Sequence, residues 1–244
     1  MISYAMLSKA GERPYNEDVV YAKVDGEEAC FMLADGLGGQ GDGDVASAHM
    51  KEVVSVLYDN GKVEDNREFI NSAFKQCQMS ILRKKEEDVS LKDMMSTLVL
   101  LIMNEKTISW GHVGDSRLYY FQEGKVQERT IDHSVPQVLA TTGEIKESEI
   151  RLHPDRNRLL RAMGMEEGKK PLNSYKELGR GEMKHIFLLC SDGFWEYIEE
   201  EEMEKTLKRV KKPEQWLKKM EKIVIKNGKK RNMDNYSAIC IFVE

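Results

Sequence analysis

Four aspartates stand where apolar runs give way to turns. Asp35 ends the run 30–34 and leads into Gly36-Leu37-Gly38-Gly39, and Asp192 ends the run 187–190 in Ser191-Asp192-Gly193. Asp115 follows a third run in Gly114-Asp115-Ser116-Arg117, and Asp234-Asn235 precedes a last one, 236–243. A carboxylate at a strand end is a hard oxygen ligand, and the glycines beside it let the backbone turn sharply and approach closely. A single Asp-Gly reads as a polar turn. Four such junctions in one chain point to carboxylates converging on divalent metal. No histidine or thiolate partners stand at ligand spacing, so Mg²⁺ or Mn²⁺ suits the set better than Zn²⁺.

A fifth stretch adds a cation. Arg13-Pro14-Tyr15-Asn16-Glu17-Asp18 places one arginine and two carboxylates within six positions. Taken alone it is a solvated turn. Beside the aspartates, Glu17 or Asp18 can reach a metal while the planar fork of Arg13 grips an anion such as phosphate. Asp35 can bridge two metals, and paired ions lower the pKa of a shared water and clamp phosphoryl oxygens. The chemistry that follows is in-line hydrolysis of a phosphate ester. The glycine-rich stretch 38–44 lacks the Lys-Ser/Thr of a nucleotide-binding loop, and no aspartate stands in an Asp-x-Asp nucleophile context.

Composition narrows the setting. The chain has 244 residues, enough for one large domain, and a net charge of −5, unlike a nucleic-acid footprint. No apolar run is long enough to span a membrane, and the start of the chain lacks the basic and apolar regions of a secretory signal. A cytoplasmic monomer with neither nucleic-acid nor membrane partner is expected. Cys30, Cys77, Cys190 and Cys240 sit in apolar patterns without metal or redox spacing and read as buried free thiols.

The elements that must position these residues can be read in order. Residues 2–8 form a strand, and 19–24 with 29–34 form a hairpin around Asp25-Gly26. A helix starts near Asp44, capped by Asp42 or Asp44, with Ala46, Met50, Val53 and Leu57 on one face. A second runs from about Arg67 to Lys84, with Ile70, Ala73, Phe74, Cys77 and Ile81 inward. His49 on the first of them is a packing or surface residue. Residues 97–103 form a central strand, followed by an alternating strand through Ile108, Trp110 and His112 and a hairpin turning at 122–125. From Asp132-His133-Ser134 to about Gly164 the pattern is irregular, with a charged helical piece at 146–150 and the cations Arg156, Arg158 and Arg161. This long excursion reads as a mobile flap. Its arginines either meet an anionic substrate or pair with Glu144, Glu147 and Glu149. His133 serves either acid–base chemistry or a structural hydrogen bond. An acidic helical region follows Asp192-Gly193. A last amphipathic helix after Pro213 turns Trp216, Leu217, Met220, Ile223 and Val224 inward and ends at Asn227-Gly228. The basic triplet Lys229-Lys230-Arg231 is too short to indicate nucleic acid. One domain spanning 1–244, with a flap at about 133–164, is expected.

The ordered set of motifs resembles the metal-dependent protein serine/threonine phosphatases of the type 2C (PPM) family, in their short bacterial form. Arg13-x-x-Asn16-Glu17-Asp18, Ala34-Asp35-Gly36-x-Gly38-Gly39, Ser96-Thr97, Gly114-Asp115-Ser116-Arg117 and Asp132-His133-Ser134 follow in family order. The segment from Gly143-Glu144-Ile145 to Arg161-Ala162-Met163-Gly164, then Ser191-Asp192-Gly193-Phe194-Trp195 and Asp234-Asn235-Tyr236-Ser237, complete it.

The resemblance implies an α+β fold, a four-layer α-β-β-α sandwich of two central antiparallel sheets flanked by helical pairs. It implies two Mn²⁺ or Mg²⁺ ions, with a possible third. Asp35 would bridge the pair, the Gly36 carbonyl would bind one ion, and Asp192 and Asp234 would hold the other. Glu17 and Asp18 would act directly or through water. Asp115 would hold the third ion with Asp192, and Arg13 would bind phosphate. It further implies direct attack of a metal-bridging hydroxide on phosphoserine and phosphothreonine in proteins, opposing a bacterial Ser/Thr kinase. Three positions depart from the family: Leu37 replaces a histidine proposed as general acid in some eukaryotic members, Asp44 a common glutamate, and Ser96 a usual glycine. Leu37 leaves the proton to another acid, such as water on a metal. A catalytically dead binding module is the rival reading, and the retention of Arg13, Asp35, Asp192 and Asp234 weighs against it.

Overall fold

The computed structural model describes residues 1–38, 42–61, 63–165 and 173–244. One sheet runs β1 (Ile2–Lys9), β11 (Tyr236–Val243), β10 (His185–Cys190), β7 (Arg117–Gln122), β8 (Lys125–Arg129) in spatial order. The other runs β2 (Asp18–Asp25), β3 (Glu28–Leu37), β5 (Leu98–Met103), β6 (Thr107–Val113), β9 (Ser174–Gly179), with the short β4 (Met95–Ser96) paired to the end of β3. All these pairings are antiparallel.

Three apolar cores explain why the strands read as continuous hydrophobic runs. Along β3, Ala29, Phe31 and Leu33 face the other sheet, where they meet Phe187, Leu189, Ile239 and Ile241. The alternate residues Cys30, Met32 and Ala34 face α1 (Asp42–Asp59) and α2 (Asn66–Glu87). On the far side, Leu188, Cys190, Cys240 and Phe242 pack under α5 (Glu200–Leu207) and α6 (Pro213–Gly228). A strand covered on both faces has no polar face to alternate with. The expected α-β-β-α order is therefore what the chain forms, and the four cysteines are buried free thiols.

Several boundaries differ from the sequence reading. β3 does not stop at Ala34: β4 pairs Ser96 with Gly36 and Met95 with Leu37, carrying the strand three residues further. Asp42 to Asp44 form the first turn of α1, ahead of the expected start, and residues 39–41 of the glycine-rich stretch lie outside the described residues. On α1 the buried face includes Val54 and Tyr58, while Val53 and Leu57 are only partly buried. α2 begins at Asn66, where Asp65 accepts from the Arg67 and Glu68 amides, an N-cap the periodicity did not reveal.

The flap is more regular than its sequence pattern. α3 (Val135–Thr142) has Pro136 in its first turn and Gly143 at φ 81° after its last. These are ordinary start and stop signals, obscured by the helix's short length. The charged piece is a 3₁₀ turn, Glu147–Leu152, whose Ile150 is buried under the first sheet's helical layer. Bridges from Ser134 to Leu159 and from Ser96 to Met163 fasten the segment at both ends.

Candidate active site

The β2–β3 hairpin puts Asp18 directly opposite Asp35. Neighbouring segments clamp the Asp35 backbone. Its amide donates to Thr97 Oγ1 at 3.0 Å, and its carbonyl accepts the Thr97 amide at 2.8 Å. Thr97 Oγ1 also shares a hydrogen bond with Ser116 Oγ, 2.7 Å away. Ser96, at the position where glycine was expected, adds a hydroxyl 3.0 Å from the Asp35 carbonyl. Gly36 must be glycine because a Cβ there would stand 1.9 Å from the Gly43 carbonyl, where α1 starts.

Asp192 opens the short helix α4 (Asp192–Trp195) at the end of β10. A Cβ on the next residue, Gly193, would lie 2.1 Å from the Asn235 carbonyl, so this glycine lets the Asp192 and Asp234 segments meet. Ser191 Oγ donates to Asp18 Oδ2 at 2.7 Å and accepts the Ser237 amide at 2.9 Å, tying β10, β11 and β2 together beneath the cleft. Asn235 organises the Arg13 loop. It accepts the Glu17 amide and donates to the Ala10 and Tyr15 carbonyls, each at 2.8–2.9 Å. Asp115 follows β6, and its carbonyl accepts Trp195 Nε1 at 2.9 Å.

Arg13, Glu17, Asp35, Gly36, Leu37, Asp115, Asp192 and Asp234 line one open cleft of about 200 Å³. Asp18 lies behind its wall, 4% exposed. All the expected site residues thus meet at one end of the sandwich. Sequence reasoning did not find Asn157 and Leu159, which the flap contributes to the same cleft. Nor did it assign roles to Ser191, Asn235 and Thr97, though each stood inside a quoted motif.

The carboxylates are electrostatically crowded. Burial pushes Asp18 up to about 7, and neighbouring Asp192 and Asp234 add to the shift. Burial also raises Asp192 to about 6, with Asp234 contributing. Asp35 and Asp115 are likewise raised by burial and then by the other aspartates, and Glu17 by burial, Asp44 and Asp234. Arg13 Nη2 donates to Asp234 Oδ2 at 2.8 Å from the cleft mouth, with nearly half its side chain exposed. Burying like charges is unfavourable unless a cation joins them.

The donor set fits hard divalent cations. Asp18 Oδ1 is buried and makes no hydrogen bond of ordinary geometry, and the nearby Ser237 hydroxyl lowers the carboxyl's pKa against the effect of burial. Among the described residues no three His, Cys, Asp or Glu side chains surround one point as a bound ion requires.

Other candidates fall into place away from the chemistry. His133 stacks on His112 with centroids 4.7 Å apart, and its Nδ1 accepts the Gly114 amide at 3.2 Å. Burial, with the His112 and Arg161 charges, pushes it down to about 3, so it is a neutral structural wedge. Arg156 pairs with Glu196, with Nε 3.0 Å from Oε1, and not with the flap glutamates. Glu196 is raised to about 7 by burial and by Asp192, one turn away. It is a titratable neighbour of the cleft that no motif disclosed.

The fold and the carboxylate cleft define a phosphoester hydrolase of the metal-dependent type. The family described as Protein phosphatase 2C matches residues 8–236. The serine/threonine phosphatase stp of Listeria innocua is 34% identical over 205 residues, spanning 80% of this chain and 79% of that protein. A crystal structure of the Mycobacterium tuberculosis serine/threonine phosphatase PstP superposes with a TM-score of 0.86 at 26% identity, covering 100% of this chain and 99% of that one. The PstP catalytic domain with two manganese ions superposes at 0.85 and 25% identity, over 100% and 99%. The chain belongs to the protein phosphatase 2C family. It is a metal-dependent protein serine/threonine phosphatase.

Proposed function

We propose that the cleft residues divide the work of hydrolysing phosphoserine and phosphothreonine esters as follows. Asp35, the Gly36 carbonyl, Asp192 and Asp234 would hold two Mn²⁺ or Mg²⁺ ions, with Asp18 and Glu17 behind them and Asp115 serving a third with Asp192. Bound there, the ions supply a water acidic enough to ionise near neutral pH and positive charge for the phosphoryl oxygens. Arg13, at the mouth, turns from Asp234 to the incoming phosphate, which its two parallel N–H groups match. Its grip aligns the ester oxygen opposite the attacking oxygen. The P–O ester bond breaks as the new P–O bond forms, and the released alkoxide takes a proton to become the serine or threonine hydroxyl. Leu37 lines the cleft and supplies no proton, so another acid, such as water on a metal, would supply it.

The observation that carries this reading is the pairing of Asp18 and Asp35 across one hairpin, with Asp192 and Asp234 brought to the same cleft by β10 and β11. The substrates are phosphoproteins. The finer reading is a monomeric, single-domain cytoplasmic enzyme, with a flap at about 133–164, that opposes a bacterial Ser/Thr kinase. Among the described residues no helix is long and apolar enough to cross a membrane. The test is phosphate release from a phosphothreonine peptide with and without Mn²⁺, repeated in excess EDTA. Metal-dependent release is expected. No release with any divalent metal from folded protein would turn the reading to a binding module.

A further inference from the structure

The net charge of −5 conceals a strong polarity. Residues 205–231 hold twelve of the 37 Lys and Arg but only two of the 42 Asp and Glu. The segment's +10 therefore leaves −15 on the remainder. Among the described residues, only Lys205 of the twelve forms an ion pair, with Glu201 at 3.4 Å. Four of the twelve, Lys218, Lys219, Lys222 and Lys226, lie on α6. α6 buries Trp216, Leu217, Met220, Val224 and Gly228 against the first sheet's core, which turns its lysines outward. Lys218, Lys222 and Ile225 follow at steps of four and three along one exposed line, with Lys226 beside them. Ile225 is 47% exposed, a single apolar side chain within a basic field. The triplet 229–231, too small to signify by itself, continues that field beyond the helix.

We infer that the outer face of α6 is a docking surface for anionic lipid bilayers. A basic stripe on an amphipathic helix is attracted to acidic headgroups, and each Lys or Arg near such a surface adds roughly a fivefold factor to binding. Ten of the twelve cations are lysines, flexible point charges suited to a diffuse anionic plane more than to bidentate recognition. A helix face is convex, and this one has no exposed aromatic on which bases could stack. Ile225 is placed to enter the headgroup layer while the lysines around it remain at the interface.

The test is co-sedimentation of the whole protein with vesicles at low ionic strength. Binding to vesicles containing phosphatidylglycerol, absence of binding to pure phosphatidylcholine, and release by high salt are expected. The triple variant Lys218→Glu, Lys222→Glu, Lys226→Glu should lose at least roughly a hundredfold in vesicle partitioning. Its hydrolysis of a soluble phosphopeptide reports that it is folded. A matched variant on the opposite helical layer, Lys51→Glu, Lys75→Glu, Arg83→Glu, makes the same change in net charge and should retain binding. No binding by the parent protein, or equal loss in both variants, would overturn the assignment to α6. Retention on duplex RNA or an acidic protein without binding to vesicles would overturn the lipid assignment.

Discussion

The molecule carries two regions of unbalanced charge, and burial separates their consequences. In the cleft, Asp18 and Asp115 are buried, Asp35 and Asp192 are half-buried, and the four lie close enough that neighbouring aspartates raise the pKa of each. Across 205–231, a larger number of like charges stands in solvent, where high dielectric and salt screen the repulsion. The cleft set is a cavity of oxygen donors whose chemistry suits a small, highly charged cation. The exposed set imposes no geometry and suits an extended polyanion. The same kind of imbalance thus makes a specific site where solvent is excluded and a diffuse surface where it is not.

The sharpest way to break this contrast is to remove the residue at its centre. Asp35→Ala is expected to lower phosphopeptide hydrolysis by at least about a thousandfold, since it removes the shared ligand on which charge stabilisation depends. Turnover within tenfold of the parent enzyme would sink the metal assignment.

Stability offers the next test. Mn²⁺ at about a hundred times its Kd should raise the melting temperature by about 5–10 °C through preferential binding to the folded state. The same ionic strength supplied as NaCl should not. In metal-free protein, Asp192 and Asp18 have folded pKa values raised to about 6 and about 7. The folded state therefore retains protons that the unfolded chain releases, and their contribution falls as pH rises from about 4 towards 7. Melting curves across that range should show the loss without metal and much less of it with Mn²⁺. Parallel curves would mean these carboxylates are not the ligands.

A smaller effect is expected from Asp115→Ala. Turnover should fall about tenfold while calorimetry still finds two bound Mn²⁺, because Asp115 would serve only the third ion. Loss of all metal would move Asp115 into the principal pair. The smallest effect belongs to the exposed region: reversing Lys218, Lys222 and Lys226 should change folding stability by no more than about 0.5 kcal/mol, as for surface charges in general. A larger loss would show that the stripe is built into the fold.

Much of the site was legible because four of the cleft aspartates lie at junctions between an apolar run and a turn. Asp35, Asp192 and Asp234 could be selected from that pattern alone, and the fourth junction, at Asp115, proved to line the same cleft. Asn157 and Leu159 were not legible, since they lie on an irregular segment whose position is set by bridges to distant strands. Glu196 was one more glutamate in an acidic stretch. Only its burial beside Asp192 makes it a titrating group. His133 illustrates the reverse: a residue type suited to acid–base work is rendered neutral by burial and by its stacked histidine neighbour.

The order of apolar runs, turns and amphipathic helices determined the layers, because each run had to be covered on both faces and each helix on one. It determined the metal preference too, since only oxygen donors stand at the strand ends. Tertiary structure decided which carboxylates face one another, how far each is withdrawn from water, and which lysines share a surface. Those quantities depend on strand register and on distances between segments remote in the chain. Asp18 meets Asp35 through hairpin register, and both meet Asp192 and Asp234 only when β10 and β11 reach the same end of the sandwich.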